Sequence, residues 1–333
     1  MRFPPGMSTA VLRYTLKQRL RGRQRFPSVL MLEPLYTCNL ACLGCSIERH
    51  TGKLADRLPL EKCLQAADES GAPIVSICGG EPTLYPELPE LVKGLIDRGR
   101  YLFLCTNALL LDKKVFDVIP PHPQLFINIH LDGLRDTHDL VCDRQGVYDK
   151  ALAMIRECKR RGYITMTNTT VFKETSMDEV EALCGVLDEL RVDGILISPG
   201  YHYESVERDI FLTQQDIHAK FERLLPLSKR YKLTATPVYM EFAAGRRELP
   251  CSPYSTVTYT PRGWKGPCYL IGEKYYPTWE EFWNGVDWEY WERREDGRCA
   301  NCKMHSGFEA SAVKVATSNP KEMVKLAMWH MSG

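Results

Sequence analysis

The sequence lacks the two features that would send a protein into or across a membrane. It contains no run of about 18 consecutive apolar residues, the length that a membrane-spanning helix requires. Its N-terminal segment also lacks the uninterrupted apolar stretch and small-residue cleavage site of a secretory signal. We therefore expect a cytoplasmic protein.

The sequence also lacks an excess of charge of either sign. Lysine and arginine number 43, aspartate and glutamate number 42, and the formal net charge is +1. Proteins that bind nucleic acid over an extended surface carry a basic excess, so we expect no nucleic-acid partner. The length of 333 residues and the 44% hydrophobic content are typical of one large α/β domain with an accessory region.

Cysteine, by contrast, is abundant. The chain contains 13 cysteines, an odd number that cannot be fully paired within one chain, and a reducing cytoplasm disfavours disulfides. Closely spaced cysteines are therefore interpreted as metal ligands. Cys63, Cys158 and Cys184 fall on predicted helices and are interpreted as core residues. Cys142 is assigned to a loop, where a thiol is open to oxidation.

Strand-like apolar runs alternate with helix-like periodicity between residues 28 and 240. The predicted strands are Ser28–Leu35, Ile74–Cys78, Tyr101–Thr106, Leu125–Leu131, Ile164–Val171, Gly194–Ser198 and Leu233–Val238. Short helical connections of this kind predict a parallel sheet. Six or seven units are fewer than a closed eight-fold barrel needs, so we predict an α/β fold with a partial (β/α)6 barrel. Its active site should lie at the carboxyl ends of the strands.

Residues 1–27 form a distinct N-terminal extension. They contain no acid, and their apolar residues recur near helical spacing, which predicts a short basic helix. Two interpretations stay open. The helix could dock on an anionic membrane surface, which would make the protein peripheral at the inner face of the membrane, or it could pack on the main domain.

Cys38, Cys42 and Cys45 form a C-x3-C-x2-C motif directly after the first predicted strand. Three thiolates can hold a [4Fe–4S] cluster and leave one iron without a protein ligand, and a vacant metal position is where a cosubstrate binds. The alternative is a zinc site with His50 as the fourth ligand. The motif and its place at the start of a βα repeat resemble the signature of the radical S-adenosylmethionine (SAM) superfamily.

That resemblance implies a partial barrel in which SAM binds the open iron and yields a 5′-deoxyadenosyl radical. Gly79, Gly80 and Glu81 follow the second predicted strand and match the family's methionine-binding motif. Polar residues at the ends of later strands, where the family places SAM contacts, are Asn107, Asp132, Asn168 and Ser198. Each of these four could equally be a loop cap.

A second set of cysteines lies in residues 241–333, a segment predicted to be a small Cys-rich accessory domain. Its spacing is Cys251-x11-Gly263-x4-Cys268 followed by Cys299-x2-Cys302. Four thiolates can fully ligate a second [4Fe–4S] cluster, and a structural zinc site is the alternative. The spacing resembles the shortened SPASM, or twitch, domains of some radical SAM enzymes.

Longer stretches resemble one branch of that superfamily, the adenosylhopane synthases of hopanoid biosynthesis. The matching stretches are Leu32–Leu35, Cys38–Cys42, Glu69–Pro73, Gly79–Pro82, Phe103–Ala108, His130–Leu134, Ile197–Pro199, Gly263–Trp264, Pro267–Leu270 and Cys299–Cys302. The resemblance implies addition of the adenosyl radical to the terminal alkene of diploptene, a C30 hopanoid. Cys105 matches the family's proposed hydrogen-atom donor, although a buried apolar cysteine would fit a strand equally well.

The resemblance also implies two partners, a hopanoid alkene and an electron donor such as flavodoxin or ferredoxin. Two other functions stay open. A hydrogen-abstracting radical SAM enzyme acting on another lipid or a peptide would release 5′-deoxyadenosine. A non-enzymatic binding protein would carry zinc in both cysteine sets.

Overall fold

One sheet of nine strands organises the described part of the chain. The computed structural model describes residues 4–45, 52–203, 206 and 208–331. The strands are β1 (Val29–Leu32), β2 (Ile74–Ile77), β3 (Tyr101–Thr106), β4 (Leu125–His130), β5 (Ile164–Val171), β6 (Gly194–Pro199), β7 (Thr256–Thr260), β8 (Gly263–Pro267) and β9 (Gly272–Tyr276). Their order in the sheet is β6-β5-β4-β3-β2-β1-β7-β8-β9.

Strands β1 to β6 are parallel, and each pairs with its neighbour in the chain. The crossovers between them run through helices, which is the connection that a parallel pair requires. The predicted α/β fold with a partial six-stranded barrel is confirmed. All carboxyl ends of these strands therefore meet on one side of the sheet, where the predicted site residues lie.

The helices are α1 (Pro5–Leu20), α2 (Leu60–Ser70), α3 (Leu88–Asp97), α4 (Leu111–Lys114), α5 (Arg135–Val141), α6 (Val147–Arg161), α7 (Met177–Glu189), α8 (Gln214–Arg230), α9 (Pro237–Ala243), α10 (Trp279–Gly285), α11 (Trp288–Glu292), α12 (His305–Ser318) and α13 (Pro320–Met331). Within the described residues, none of them is long and apolar enough to cross a bilayer.

The predicted strand Leu233–Val238 is wrong. Only Leu233 bridges to the sheet, opposite Ile195, and α9 begins four residues later. Thr236 caps α9 by accepting a hydrogen bond from the Tyr239 N–H, and Pro237 occupies the first helical turn. A Thr-Pro pair is a helix start, and it outweighs the strand propensity of the apolar residues around it.

The sheet continues past residue 240, where the sequence predicts an accessory domain. β7 pairs in parallel with β1 through the register Val29↔Thr256, and β8 and β9 follow as antiparallel strands. The sheet therefore crosses the predicted domain boundary, and the region from residue 241 onward shares a rigid framework with the barrel.

The two faces of the barrel strands pack against different partners. In β3, Leu102 and Leu104 are fully buried in the main core that the helices cover. Tyr101 and Phe103 point to the opposite face, because side chains alternate along a strand. There they join a separate apolar cluster inside the barrel with Met7 of α1 and with Ile74, Phe126, Ile164 and Met166. Helix α1 thus covers the N-terminal end of the barrel interior.

Trp264 of β8 anchors the C-terminal part of the sheet, and its removal should destabilise the protein. Its fully buried ring contacts Tyr259, Trp279 and Phe282 at centroid distances of 4.8, 4.7 and 5.6 Å. We expect Trp264→Ala to lower the free energy of unfolding by about 3–5 kcal/mol, as is usual for loss of a buried aromatic side chain. Urea denaturation followed by circular dichroism measures this, with exposed Val118→Ala as the control. A loss equal to that of the control would contradict the packing described here.

Candidate active site and cysteine clusters

The first cysteine motif lies in the loop that follows β1. Cys38, Cys42 and Cys45 are all half-buried, and their thiols lie close enough to influence one another electrostatically. The Leu40 N–H donates to the Cys38 sulfur at 3.4 Å, and the Cys45 N–H donates to the Cys42 carbonyl at 3.1 Å. Burial raises the pKa of Cys38 to about 12. The Cys38 thiol therefore stays protonated at pH 7 until a metal displaces the proton.

Gly79 and Gly80 hold this loop by direct backbone contact. The Gly80 N–H donates to the Leu35 carbonyl, and the next residue donates to the Thr37 carbonyl, both at 2.9 Å. A Cβ on Gly80 would lie 2.0 Å from the Thr37 carbonyl oxygen. Gly79 has a φ of 101°, a conformation that favours glycine. The two glycines are therefore required for the close approach that fixes the backbone leading into Cys38.

Glu81 ties the end of β2 to the end of β3. One carboxylate oxygen accepts from the Thr83 N–H and from the hydroxyls of Thr83 and Thr106, at 3.0, 2.6 and 2.7 Å. The other accepts from the Asn107 N–H at 2.9 Å. Burial raises the pKa of Glu81, although these hydrogen bonds oppose the shift. Four internal donors give the side chain a structural role, and its contact with SAM stays a prediction.

Asp132 organises a buried polar network after β4. Its carboxylate accepts from the Thr170 N–H at 2.7 Å and contacts His130 Nε2 at 2.6 Å, and Asn168 Nδ2 lies 3.4 Å from His130 Nδ1. Burial lowers the pKa of His130, but Asp132 outweighs it and raises the pKa to about 9. His130 is therefore an imidazolium at pH 7, and Asp132 and Asn168 are brought together around it.

Asn107 and Ser198 occupy different surroundings. Asn107 Nδ2 donates to Asn39 Oδ1 at 2.7 Å, so it contacts the cysteine loop itself. Ser198, at the end of β6, lies 2.9 Å from Nδ1 of His305 at the start of α12. Burial lowers the pKa of His305 to about 4, which keeps its ring neutral at pH 7. Ser198 thus connects the barrel to the C-terminal region, a role that its position in the sequence did not predict.

Cys105 lies on the inner face of β3, as its place in the strand predicts. Its sulfur is 3.2 Å from the Ser76 hydroxyl on β2 and 3.5 Å from Asn128 Nδ2 on β4. Burial raises the pKa of Cys105. The thiol is therefore protonated at pH 7 and is held between two polar side chains rather than packed among apolar ones.

Cys142 is a site residue that the sequence analysis missed. It directly follows α5 and is buried, and its sulfur lies 3.6 Å from His138 Nε2. It is also hydrogen-bonded to Cys42, and this contact together with burial raises the pKa of Cys42. The Leu43 N–H donates to the Val141 carbonyl at 2.9 Å, which fixes the two loops together. No local spacing signals this contact, because 100 residues separate the two cysteines.

The residues around the first motif suit an iron–sulfur cluster with one open position. Three thiols converge in one loop, and a backbone N–H already points at one sulfur, as is common around such clusters. Within the described residues, no three Cys, His, Asp or Glu side chains are arranged to hold a single metal ion. His50, the alternative zinc ligand, lies outside the described residues.

The second set of cysteines surrounds one cavity. Cys251, Cys268, Cys299 and Cys302 all line a small cavity of about 40 Å³ between the β7–β9 region and the start of α12. Burial raises the pKa of Cys299 to about 11 and that of Cys302 to about 12, and the neighbouring thiols add to both shifts. Four thiols from three separate segments therefore line one cavity, although within the described residues they are not arranged to hold a single metal ion.

Backbone donors and Arg294 support this second set. The N–H groups of Leu270 and Ile271 donate to the Cys268 sulfur, and the Met304 N–H donates to the Cys302 sulfur. Arg294 donates to the carbonyl oxygens of Cys299, Ala300 and Cys302 and so holds the C-x2-C turn. Hydrogen bonds to the sulfurs are typical of iron–sulfur sites.

Two models of known protein families match this chain. Residues 32–187 match the model described as "Radical SAM superfamily", which begins at the last residue of β1 and spans the cysteine motif and strands β2 to β5. This part of the chain is therefore similar to radical SAM domains. Residues 195–326 match a second model, described as "Domain of unknown function (DUF3463)", which includes all four cysteines of the second set.

Curated proteins that this chain resembles carry the names of different enzymes. The chain is 25% identical to Fe-coproporphyrin III synthase of Methanosarcina barkeri over 189 residues, which is 56% of this chain and 46% of that protein. It is 25% identical to AdoMet-dependent heme synthase of the same organism over 221 residues, which is 64% of this chain and 63% of that protein. The chain thus spans about half to two thirds of the length of these relatives.

Solved structures share the fold. The structure of Streptococcus suis SuiB bound to S-adenosylmethionine superposes with a TM-score of 0.63 at 17% identity, covering 86% of this chain and 70% of SuiB. The agreement extends across most of the chain and supports one architecture from β1 to the C-terminal helices.

Gly80→Ala should remove the cluster without unfolding the sheet. The added methyl group would collide with the Thr37 carbonyl and displace the loop that carries the three cysteines. We expect anaerobically reconstituted protein to lose most of the iron bound at this site, measured as iron per chain, with an unchanged far-ultraviolet spectrum. Gly297→Ala is the matched control, since a Cβ there meets no atom within 4 Å. Full iron retention in Gly80→Ala would contradict the steric argument.

The charge of His130 should depend on Asp132. The raised pKa means that the imidazolium is stabilised by folding below pH 6.5 and that this contribution is lost as the pH rises through about 9. In Asp132→Asn the attraction between the Asp132 carboxylate and the His130 imidazolium disappears, while His130 stays buried. The pKa of His130 should therefore fall below the ordinary histidine value of about 6.5. Histidine hydrogen–deuterium exchange, read by mass spectrometry across pH, measures both midpoints. An unchanged midpoint would show that Asp132 does not set this charge.

Proposed function

We propose that this chain cleaves SAM reductively and joins its 5′-deoxyadenosyl group to the terminal alkene of a hopanoid, diploptene, to form adenosylhopane. The observation that carries the proposal is the Cys105 thiol, which is protonated and lies inside the barrel between Ser76 and Asn128. The resemblance to adenosylhopane synthases extends over nearly the whole chain and includes this cysteine.

The residues of the first motif would hold the cofactors. Cys38, Cys42 and Cys45 would ligate three irons of a [4Fe–4S] cluster, and the fourth iron would take SAM. When bound, the cluster and SAM supply a 5′-deoxyadenosyl radical, which adds to the alkene and leaves one carbon radical. Asn107, Asp132, Asn168 and the backbone of Gly79 and Gly80 would surround SAM at the carboxyl ends of the strands.

Cys105 would complete the reaction by donating a hydrogen atom. Its S–H bond breaks, a C–H bond forms on the substrate, and the closed-shell product leaves a thiyl radical on Cys105. One electron from the reductant and one proton restore the thiol. A thiolate has no hydrogen atom to give, so the burial that raises the pKa of Cys105 also keeps it in the competent form.

The barrel interior changes from apolar to polar at the level of Cys105. Toward the N-terminal ends of the strands the inner face carries Phe103, Phe126 and Met166, and the rings of Phe103 and Phe126 stack at 4.7 Å. Toward the carboxyl ends it carries His130 and Asn168. A polar cosubstrate and an apolar alkene would meet at such a boundary, with the thiol within reach of both.

The second set of cysteines would hold another [4Fe–4S] cluster in a twitch-like domain, with zinc as the alternative. All four thiols line one cavity, backbone N–H groups donate to two of them, Cys268 and Cys302, and no fifth group is needed to complete four-thiolate ligation. A fully ligated centre would relay electrons or support the C-terminal region rather than bind SAM.

The electron donor would be a flavodoxin or a ferredoxin, both acidic carriers. A surface pocket of about 320 Å³ lies beside the cysteine loop, and its lining includes Asn39, Leu109, Lys113, Arg144 and Lys150. Leu109, like Cys38 and Cys42, packs against the buried side chains of Leu40, Cys142 and Val147. The basic side chains that line this pocket would attract an acidic carrier to the surface beside the cysteine motif, where the cluster would accept its electron. The protein would act in the cytoplasm, in peripheral contact with the inner face of the membrane.

Product analysis tests the reaction. Anaerobic incubation of reconstituted protein with SAM, a reductant and diploptene should give a product that contains both adenine and the hopanoid, detected by mass spectrometry. Free 5′-deoxyadenosine without adducts would instead favour the hydrogen-abstracting alternative on another lipid or a peptide. Absence of SAM cleavage by iron-loaded protein would contradict both.

Cys105→Ala should leave SAM cleavage intact and reduce formation of the saturated adduct at least ~10-fold, because the carbon radical loses its donor. Cys158→Ala is the matched control, since this buried cysteine lies on α6, outside the barrel interior. Chiral analysis of the residual product adds a second readout. Wild-type yield and stereochemistry in Cys105→Ala would remove Cys105 from the mechanism.

Metal analysis tests the second site. Anaerobically reconstituted protein should contain about eight irons per chain, four for each of two clusters, and Cys268→Ala should reduce this number to about four. The variant should keep the spectroscopic response of the first site to SAM. One zinc and about four irons per chain would instead establish the zinc alternative.

A further inference from the structure

Helix α1 carries apolar side chains on two opposite faces. On the inner face, Met7 is buried against the apolar cluster inside the barrel, and the Tyr14 hydroxyl donates to the Pro27 carbonyl at 2.7 Å. On the outer face, Leu12, Leu16 and Leu20 expose 55%, 49% and 89% of their surface. Packing against the barrel therefore accounts for the apolar side chains on the inner face of α1 and not for those on its outer face.

The outer leucines form one continuous stripe. They are spaced four residues apart, so each follows the previous one along the same side of the helix. An exposed row of large apolar side chains on a surface helix is costly in water unless something covers it. The stripe occupies the last three turns of α1, and the chain turns away at Gly22.

Basic residues flank the stripe on both sides. At 100° per residue, Arg13 and Lys17 lie along one edge of the leucine row and Arg19 lies along the other. All three are exposed, as are Arg21 and Arg23 beyond the helix. The first 32 residues contain no acid that could neutralise them. An apolar row between two basic edges suits the interface of an anionic bilayer.

We propose that the outer face of α1 docks on the surface of an anionic membrane, with Leu12, Leu16 and Leu20 among the acyl chains and Arg13, Lys17 and Arg19 at the lipid phosphates. This deepens the membrane contact of the proposed function by naming the surface and the lipid charge. Because the inner face of α1 covers the apolar end of the barrel interior, docking turns that end toward the bilayer.

The basic residues beside the leucine stripe disfavour a second copy of the chain as the partner of this face. A symmetric dimer through the leucine stripe would bring the same basic edges together, and like charges facing each other at an interface are repulsive. Anionic lipid headgroups have the opposite charge, and each lysine or arginine near such a surface strengthens binding about fivefold. The observations therefore favour a bilayer.

Vesicle binding by the full iron-loaded chain tests the proposal. The protein should co-sediment with vesicles of phosphatidylcholine and phosphatidylglycerol and bind vesicles of phosphatidylcholine alone much more weakly. Replacement of Arg13, Lys17 and Arg19 together by glutamine should weaken binding about 100-fold. Leu12→Gln with Leu16→Gln should also abolish stable binding. The matched controls are Leu54→Gln with Val118→Gln for the apolar change, and Lys62→Gln, Lys114→Gln and Lys229→Gln together for the charge, since all of these side chains are exposed.

Three results would overturn the proposal. They are equal binding to the two kinds of vesicle, no binding to either kind, and binding that survives both α1 variants. A dimer in solution that Leu12→Gln with Leu16→Gln dissociates, without vesicle binding, would show that a second copy covers the stripe. SAM cleavage is measured in parallel, because the α1 variants should retain it. A failure of docking is thereby distinguished from a failure of the proposed chemistry.

Discussion

Backbone contact between two loops is the constraint on which the candidate site depends. Gly79 and Gly80 lie so close to residues 33–37 that no side chain fits between them. This contact fixes the chain that enters the cysteine motif, and Glu81 then fastens the same turn to the end of β3. The cysteine loop, β2 and β3 therefore form one rigid unit, and Cys105 on β3 is held at a constant position relative to the three thiols.

The same sheet carries both sets of cysteines. β1 lies between β2 of the barrel and β7 of the C-terminal region, so the strand that leads into the first set is paired directly with the strand that follows Cys251. Ser198 and His305 add a second link between β6 and the start of α12, three residues after Cys302. The two sets thus have a fixed spatial relation, which is a requirement for electron exchange between them in the proposed enzyme.

Local patterns in the sequence predicted the six parallel strands of the barrel but not the strands of the C-terminal region. Strands β1 to β4 and β6 are short runs rich in apolar residues, and β5 is a run in which threonine is frequent, a residue favoured in strands, so composition and length predicted all six. β7 is the threonine-rich segment Thr256–Thr260 among prolines and glycines, and only its pairing with β1 makes it a strand. The sequence placed Cys105 near the end of β3, and alternation along that strand puts its side chain on the same face as Phe103, while its role in the reaction stays a prediction.

Roles that depend on contacts across the fold were not predictable from spacing. Glu81 and Asp132 stand where polar residues at strand ends suggest ligands, but each side chain is engaged by several partners from other segments. The contact of Cys142 with Cys42 joins residues that are distant in the chain. The two faces of α1 could likewise be separated only once its packing partner was known, since both carry apolar residues.

Electron paramagnetic resonance tests the central claim, that Cys38, Cys42 and Cys45 hold a cluster whose open iron takes SAM. The most direct sample is the Cys268→Ala variant, reconstituted with iron and sulfide and reduced without oxygen, because the first site then dominates the spectrum. The account predicts the signal of a reduced [4Fe–4S] cluster that changes when SAM is added. A reduced cluster whose signal is the same with and without SAM, or no cluster signal at all, would contradict it.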